Sequence, residues 1–387
     1  MGSLGKVLAI DIPPNVTVRW NGRAVEAADP APITGVTFDL HAGTVRRTEQ
    51  AVAAVRAAGE RAAGPLEVVA RLLLRSEGLA SSAIEGLRAS AADVALAEAA
   101  AAEGLRSDDD DDVASWVADN LAVVTDALAE EGTVDAARLF AWHERLMRHA
   151  PAIDPVHVGA WRDRLGWVGG SSPLTAVHVA VPPGAIDALM EDLFVFIRRD
   201  DLDAVTQAAV AHAQFETIHP FADGNGRIGR VLISWILSRR IGVRVTPPVS
   251  LEFARDIGGY QSGLTLYRQG EIDTWVAWFA DAVSRSARRA AEVLEAVGEV
   301  QERWEQAAQR LRADSAARRL LPLLPAHPVL SAGTVASLLG VSLQAARNAL
   351  AELAAVRVLA EVDQVPNGRG RPRRWWVTPE LLELVGP

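Results

Sequence analysis

A chain of 387 residues is long for one hydrophobic core and predicts two or three domains, and 49% apolar residues are ample for a folded interior. With no cysteine it has neither a disulfide framework nor thiolate chemistry, and a net charge of −10 argues against a surface that binds nucleic acid throughout. Its one lysine, Lys6, stands in no Gly-Lys-Ser/Thr sequence, which removes a P-loop nucleotide site.

The opening MGSLGKVLAIDIPP holds too short an apolar run for a signal peptide. No stretch approaches the roughly 20 apolar residues that span a bilayer. A soluble, cytoplasmic protein is expected, with no membrane partner. Residues 1–112 read as an N-terminal region: the extended pieces NVTVRW and PITGVTFDL, an Ala-rich amphipathic helix, and helices running through LEVVARLLLRSEGLASSAIEG. The run Asp108–Asp112 marks a solvated loop, because five adjacent carboxylates repel one another. Residues 113–292 form a helical core with apolar residues three and four apart. LTAVHVAVPPG interrupts it, and its alternation and closing prolines suit an exposed edge hairpin. His143 and His212 lie on amphipathic helices and read as buried structural histidines, whereas His178, in the hairpin, is expected to be more exposed. Residues 293–324 read as a charged helical connector. The last region, 325–387, shows a helix, a Gly-Val-Ser turn, a second helix from near Ser342, and two strand-like pieces around PNGRGRPR. That order is the pattern of a winged helix-turn-helix.

The densest chemistry lies in His219-Pro-Phe-Ala-Asp-Gly-Asn-Gly-Arg-Ile-Gly-Arg230. Asp223-Gly-Asn-Gly226 is a turn, since Asn and Gly tolerate positive φ, and an apolar helix follows at once. Backbone N–H groups in such a turn, backed by a helix N-terminus, form an anion-binding concavity. Arg227 and Arg230 are three apart and share a face of the first helical turn. Asp223 borders the concavity and suits a divalent cation, and His219 suits proton acceptance. Together these make a full set for transfer at phosphorus. Gly224, Gly226 and Gly229 also satisfy G-x-G-x-x-G, but that motif needs a preceding strand, and what precedes here has helical period. A calcium loop fails too, for want of further oxygen ligands at alternating spacing.

HPFADGNGRIGR resembles the signature of Fic-domain proteins, HxFx(D/E)GNGRxxR, at every fixed position. The neighbouring AHAQFETIHPF, the stretch with Gly159, Trp161, Arg162, Gly169 and Gly170, and the VHVAVPPG hairpin agree. The resemblance implies a mainly α fold: a Fic helical bundle with a small β-hairpin flap, plus the C-terminal winged helix-turn-helix. It implies a protein adenylyltransferase that moves AMP from ATP, with Mg2+ or Mn2+, to a Ser, Thr or Tyr hydroxyl. His219 would be the base and Asp223 the metal ligand. Gly224, Asn225, Gly226 and Arg227 would cradle the phosphates, Arg230 would pair with the γ-phosphate, and Phe221 would anchor the loop. Gln214 and Tyr260 are nucleoside contacts by position. The flap around Val177–Val181 would receive the target protein.

Ser81-Ser-Ala-Ile-Glu85-Gly86 is similar to the inhibitory motif (S/T)xxxE(G/N) of Fic proteins that carry their brake N-terminal to the core. Ser81 and Glu85 stand at i and i+4, so the resemblance implies that Glu85 pairs with Arg230 in place of the γ-phosphate. Two other functions stay open: a hydrolase using Glu85 to remove AMP, and a DNA-binding regulator with a nucleotide-sensing core. Besides the target protein, the expected partners are a second copy of the chain, for self-modification or as a homodimer, and DNA. DNA would meet residues 342–348, where Ser342, Gln344 and Asn348 face the major groove, and Arg369–Arg374 at the wing tip.

Overall fold

The computed structural model describes residues 15–62, 67–105, 112–150, 153–364 and 373–385. Lys6, Asp108–Asp111 and the basic tip with Arg369 and Arg371 lie outside the described residues. Strands β1 (Asn15–Trp20) and β2 (Arg23–Ala28) make an antiparallel hairpin around Asn21-Gly22, both at positive φ as a two-residue primed turn requires. PITGVTFDL, expected to be extended, is irregular chain. Its backbone groups are met by side chains rather than by a strand: Asp192 accepts from the N–H of Ile33 at 2.6 Å, and Arg199 donates to the Val36 carbonyl at 2.7 Å.

Helices α1 (Ala42–Arg61), α2 (Glu67–Ile84), α3 (Ala91–Ala102), α4 (Val113–Ala129) and α5 (Ala136–Met147) follow. The two-residue strands β3 (Trp167–Val168) and β4 (His178–Val179) pair antiparallel; only β4 falls within 174–184, where the edge hairpin was expected. The chain continues through α6 (Ile186–Ile197), α7 (Ala204–Ile218), α8 (Asn225–Ile241), α9 (Val249–Arg255), α10 (Ile257–Arg268) and α11 (Ile272–Ala307). Every residue of α7 is buried, because α1, α6, α8, α10 and α11 all pack against it. A helix enclosed on all sides loses its amphipathic stripe, which is why the polar residues of α7 must find partners inside the protein. The boundary expected at 292/293 falls within α11. This helix keeps Trp275, Phe279, Val283, Ala290, Leu294, Val297 and Trp304 buried along one side, so its second half is packed against the protein.

The last residues form α12 (Ala316–Leu320), β5 (Val329–Leu330), α13 (Ala332–Leu339), α14 (Leu343–Ala355), β6 (Ala360–Gln364), β7 (Arg373–Val377) and α15 (Pro379–Leu384). The three strands lie in the order β5-β7-β6, all antiparallel. Gly340 at φ 64° stops α13, and the Ser342 hydroxyl accepts from the Ala345 N–H to start α14. These elements lean on the N-terminal helices: Ser76 of α2 donates to the Val385 carbonyl, and Glu103 accepts from the hydroxyls of Ser331 and Thr334. Among the described residues no helix is long and apolar enough to cross a membrane.

Candidate active site

The junction of α7 and α8 is a tight loop held from below. His219 closes α7 in the left-handed region, at φ 53° and ψ 60°. This backbone conformation is costly for a residue with a side chain and persists where its surroundings enforce it. Arg162 does the enforcing. Its Nε donates to the His219 carbonyl at 2.8 Å, Nη2 to the Val181 carbonyl at 2.6 Å, and its own N–H donates to the Pro220 carbonyl at 2.9 Å. Phe221 is fully buried, stacked on His143 with ring centroids 4.0 Å apart and flanked by Trp161. The neutral His143 ring accepts from the Gly159 N–H at Nδ1, which leaves Nε2–H to donate to the Asp223 carbonyl at 3.1 Å.

Gly224, at φ 78°, caps α8, and the N–H groups of the first helical turn have no intrahelical acceptor, so they face an anion placed at the loop. The Asn225 side chain has another task. It accepts from the Phe221 N–H and donates to the Phe221 carbonyl, both at 2.8 Å. Asn225 was expected to cradle phosphate; its amide instead clasps the loop, and its main-chain N–H is what remains for an anion. Asp223 is 60% exposed, with Oδ1 accepting from the Gly224 N–H and Oδ2 3.8 Å from Arg227. Arg227 is buried, its Nε has no partner, and burial lowers its guanidinium pKa.

Arg230 is the most enclosed charge at the site, with 1% of its side chain exposed. Its Nε donates to the Ser81 hydroxyl at 2.9 Å, and its Nη2 to the Ser81 carbonyl at 2.9 Å and to Glu85 Oε1 at 2.7 Å. Burial works against its charge, but Glu85 together with Tyr260 and Glu216 outweighs burial and holds the guanidinium above its ordinary value. Glu85 stands just past the end of α2, where Gly86 (φ 83°) and Leu87 return hydrogen bonds to the carbonyls of Ala83 and Ser82. That C-terminal closure fixes where the Glu85 side chain leaves the helix. A Cβ on Gly226 would overlap the Glu85 carboxylate, so glycine there is what admits it against the loop.

His219, Asp223, Gly224–Arg227, Arg230, Ser81 and Glu85 are thus brought to one place. Gln214 and Tyr260 are not. The Gln214 amide donates to the Ala31 carbonyl and accepts from the Tyr267 hydroxyl, deep in the interior. Tyr260 is buried among Phe253, Trp275 and Trp278 with its hydroxyl 2.9 Å from His212 Nε2. As placed, neither offers a nucleoside an open group. His178, expected to be more exposed, is 8% exposed and pairs with the Thr217 carbonyl near the end of α7; β4 packs beside β2, and this side chain is turned inward. His143 and His212 are fully buried, as expected. Sequence reading missed that Glu216 lies beside His219. The signal was present, since 212, 216 and 219 fall on one helical face. Among the described residues no group of three or more His, Asp or Glu could hold a metal alone.

Two outcomes follow. Asn225→Ala leaves the buried Phe221 N–H unpaired and costs about 1–3 kcal/mol, read as a lower denaturation midpoint. Stability also falls with pH below neutrality. Burial pulls His143 and His212 down to about 4 and His178 to about 3, so their contribution is complete above the unfolded value of 6.5 and is lost as pH drops toward those values. Glu77 acts oppositely: burial raises it to about 7, and its contribution is complete below 4.5 and lost as pH rises through 7. Three histidines outweigh one carboxyl, so the urea midpoint at pH 7 exceeds that at pH 5; equal midpoints would contradict this assignment.

Residues 133–237 match the model of the Fic/DOC family. The protein adenylyltransferases Fic of Drosophila virilis and Drosophila melanogaster are 31% identical to this chain over 147 residues, 37% of its length and 27% of theirs. The match therefore spans about a quarter of those relatives. A Fic family protein from Desulfovibrio desulfuricans has a similar fold, with a TM-score of 0.55 at 21% identity over 88% of this chain and 97% of its own. A Fic domain-containing signaling protein from Bacteroides thetaiotaomicron reaches 0.51 at 17% identity, over 64% and 97%. The loop, the two helices that hold it and these similarities agree: residues 133–237 of this chain are similar to the Fic/DOC family.

Proposed function

We propose that the chain transfers AMP from ATP to a Ser, Thr or Tyr hydroxyl of a protein, and that Glu85 restrains it. The observation that carries this reading is the single anion position shared by the α8 N-terminus, Arg227 and Arg230, with Glu85 already paired to Arg230. His219 is the base. With Nδ1 enclosed, Nε2 is the nitrogen left to take the hydroxyl proton as oxygen attacks the α-phosphorus and pyrophosphate leaves. The main-chain N–H groups of Gly224–Arg227 and the Arg227 guanidinium receive phosphate oxygens, and Arg230 receives the γ-phosphate once Glu85 withdraws.

The exposed carboxylate of Asp223 suits Mg2+, which ordinarily takes one or two protein carboxylates and completes its shell with phosphates and water. Bound there, it would neutralise the phosphates and the departing pyrophosphate. The flap supports a target aligned by strand addition: Val177 is 78% exposed beside β4, next to the half-exposed Trp167 and Val168. The C-terminal order of helix, capped helix and β5-β7-β6 sheet supports a winged helix-turn-helix, with Gln344 and Asn348 on the exposed side of α14. Ser331 and Glu380 tie this unit to the N-terminal and core helices.

The test is transfer of labelled AMP from ATP into a lysate and into the chain itself. Glu85→Gly raises the initial rate by roughly tenfold or more, which corresponds to about 1.4 kcal/mol, and His219→Ala in that background abolishes it. Equal labelling by wild type and Glu85→Gly removes the restraint, and undiminished labelling by His219→Ala removes the assigned base.

A further inference from the structure

One face of α7 carries His212 and Glu216 at i and i+4, and His219, which closes the helix, follows three residues later beside Glu216. The Glu216 carboxylate is buried, with Oε2 3.6 Å from His219 Nδ1. That nitrogen is enclosed and has no hydrogen-bond partner, and the same holds for Glu216 Oε1. The main chain cannot turn the imidazole away, because the His219 N–H is bonded to Phe215 and its carbonyl to Arg162. On the far side, Gly229 makes room: a Cβ there would come 2.7 Å from Glu216 Oε1 and 3.0 Å from His212 Nδ1. Burial alone would raise the Glu216 carboxyl, but His219, His212 and Arg230 outweigh it and bring it down to about 2, so it is ionised at any working pH.

We propose that Glu216 is the positioning residue of the base: it holds the Nδ1–H tautomer of His219, presents Nε2 to the hydroxyl, and neutralises the imidazolium that proton transfer creates. This rests on the adenylyl-transfer reading above. Nε2 takes the hydroxyl proton while that oxygen bonds the α-phosphorus and the bond to pyrophosphate breaks; afterwards the proton leaves Nε2 for solvent. A separation of 3.6 Å exceeds a hydrogen bond, and catalytic hydrogen bonds in unliganded sites commonly shorten only when substrate binds. A carboxylate placed on the Nδ1 side of a catalytic imidazole fixes tautomer and charge together. The competing role is structural, since the buried Arg268 donates to the Glu216 carbonyl and also faces this carboxylate.

The experiment uses the full chain carrying Glu85→Gly, alone and with Glu216→Gln or Glu216→Leu. It reads the AMP self-labelling rate at saturating Mg·ATP, the Kd of a non-hydrolysable ATP analogue, the unfolding temperature, and the 15N signature of the His219 ring. Gln keeps an acceptor but removes the charge, so the rate falls about 10- to 100-fold, with the Kd within twofold and the Nδ1–H tautomer retained. Leu removes the acceptor as well, lowering the rate further and losing the tautomer preference. If both variants only lower the unfolding temperature, with rate per folded molecule and tautomer unchanged, Glu216 is a structural counterion and the proposal is overturned. If the Glu85→Gly parent does not label at all, the transfer reading fails. The tautomer comparison still decides the role of Glu216: loss in Leu supports it, and no change overturns it.

Discussion

A guanidinium with one hundredth of its surface exposed must be paired inside the protein, and at Arg230 the hydrogen bonds to Ser81 and Glu85 come from the end of α2. Stranding such a charge costs several kcal/mol, so wherever α8 goes, the Ser81–Glu85 segment goes with it. Two other clasps share the load. Asn120 of α4 donates to the Gly78 carbonyl and the Ser82 hydroxyl, and Glu77 accepts from the N–H and hydroxyl of Ser250 at the start of α9. Helix α2 is therefore fixed at successive turns, and the residue just past its end, Glu85, brings a carboxylate to the N-terminal half of α8.

On the proposed function, the same pairing would let restraint and catalysis share one residue. Only another anion can replace Glu85 without leaving Arg230 uncompensated, and a terminal phosphate is such an anion. Glu85 is the natural member to move, being 40% exposed at the C-terminal end of a helix while Arg230 is locked within α8. Gly226 has a double use on this account: it admits the carboxylate now, and the same bare surface would admit phosphate oxygens later. The C-terminal unit touches α2 through Ser76 and Val385, so this helix contacts both the C-terminal unit and the core helices α4, α8, α9 and α11.

Much of this was legible in the residues. Local chemistry with fixed spacing reads well: the Asp-Gly-Asn-Gly turn, the helix beginning at once after it, and the i, i+4 relation of Ser81 to Glu85 all describe short-range geometry that the chain cannot avoid. What reads poorly is which of several hydrogen-bonding groups a tertiary contact will use. Asn225 looks like a phosphate ligand until its amide is seen clasping Phe221. Gln214 on α7 and Tyr260 on α10 face the interior, and helical period alone did not reveal that α7 is enclosed on every side. His178 was misjudged for the same reason, since both residues of the short strand β4 are buried and nothing in its sequence marks that. The Asn21-Gly22 turn was a readable hairpin signal that RAVEAA, weakly alternating, obscured.

The central claim is that Glu85 and the terminal phosphate of ATP compete for Arg230. Calorimetric titration of ATP and of ADP into the wild type and into Glu85→Gly tests this directly, because ADP has no γ-phosphate to place there. A charge-assisted hydrogen bond is worth about 1.5–3 kcal/mol. The preference for ATP over ADP should therefore widen by about tenfold or more when Glu85 is removed. An ATP-to-ADP affinity ratio that is the same in both proteins would contradict the claim.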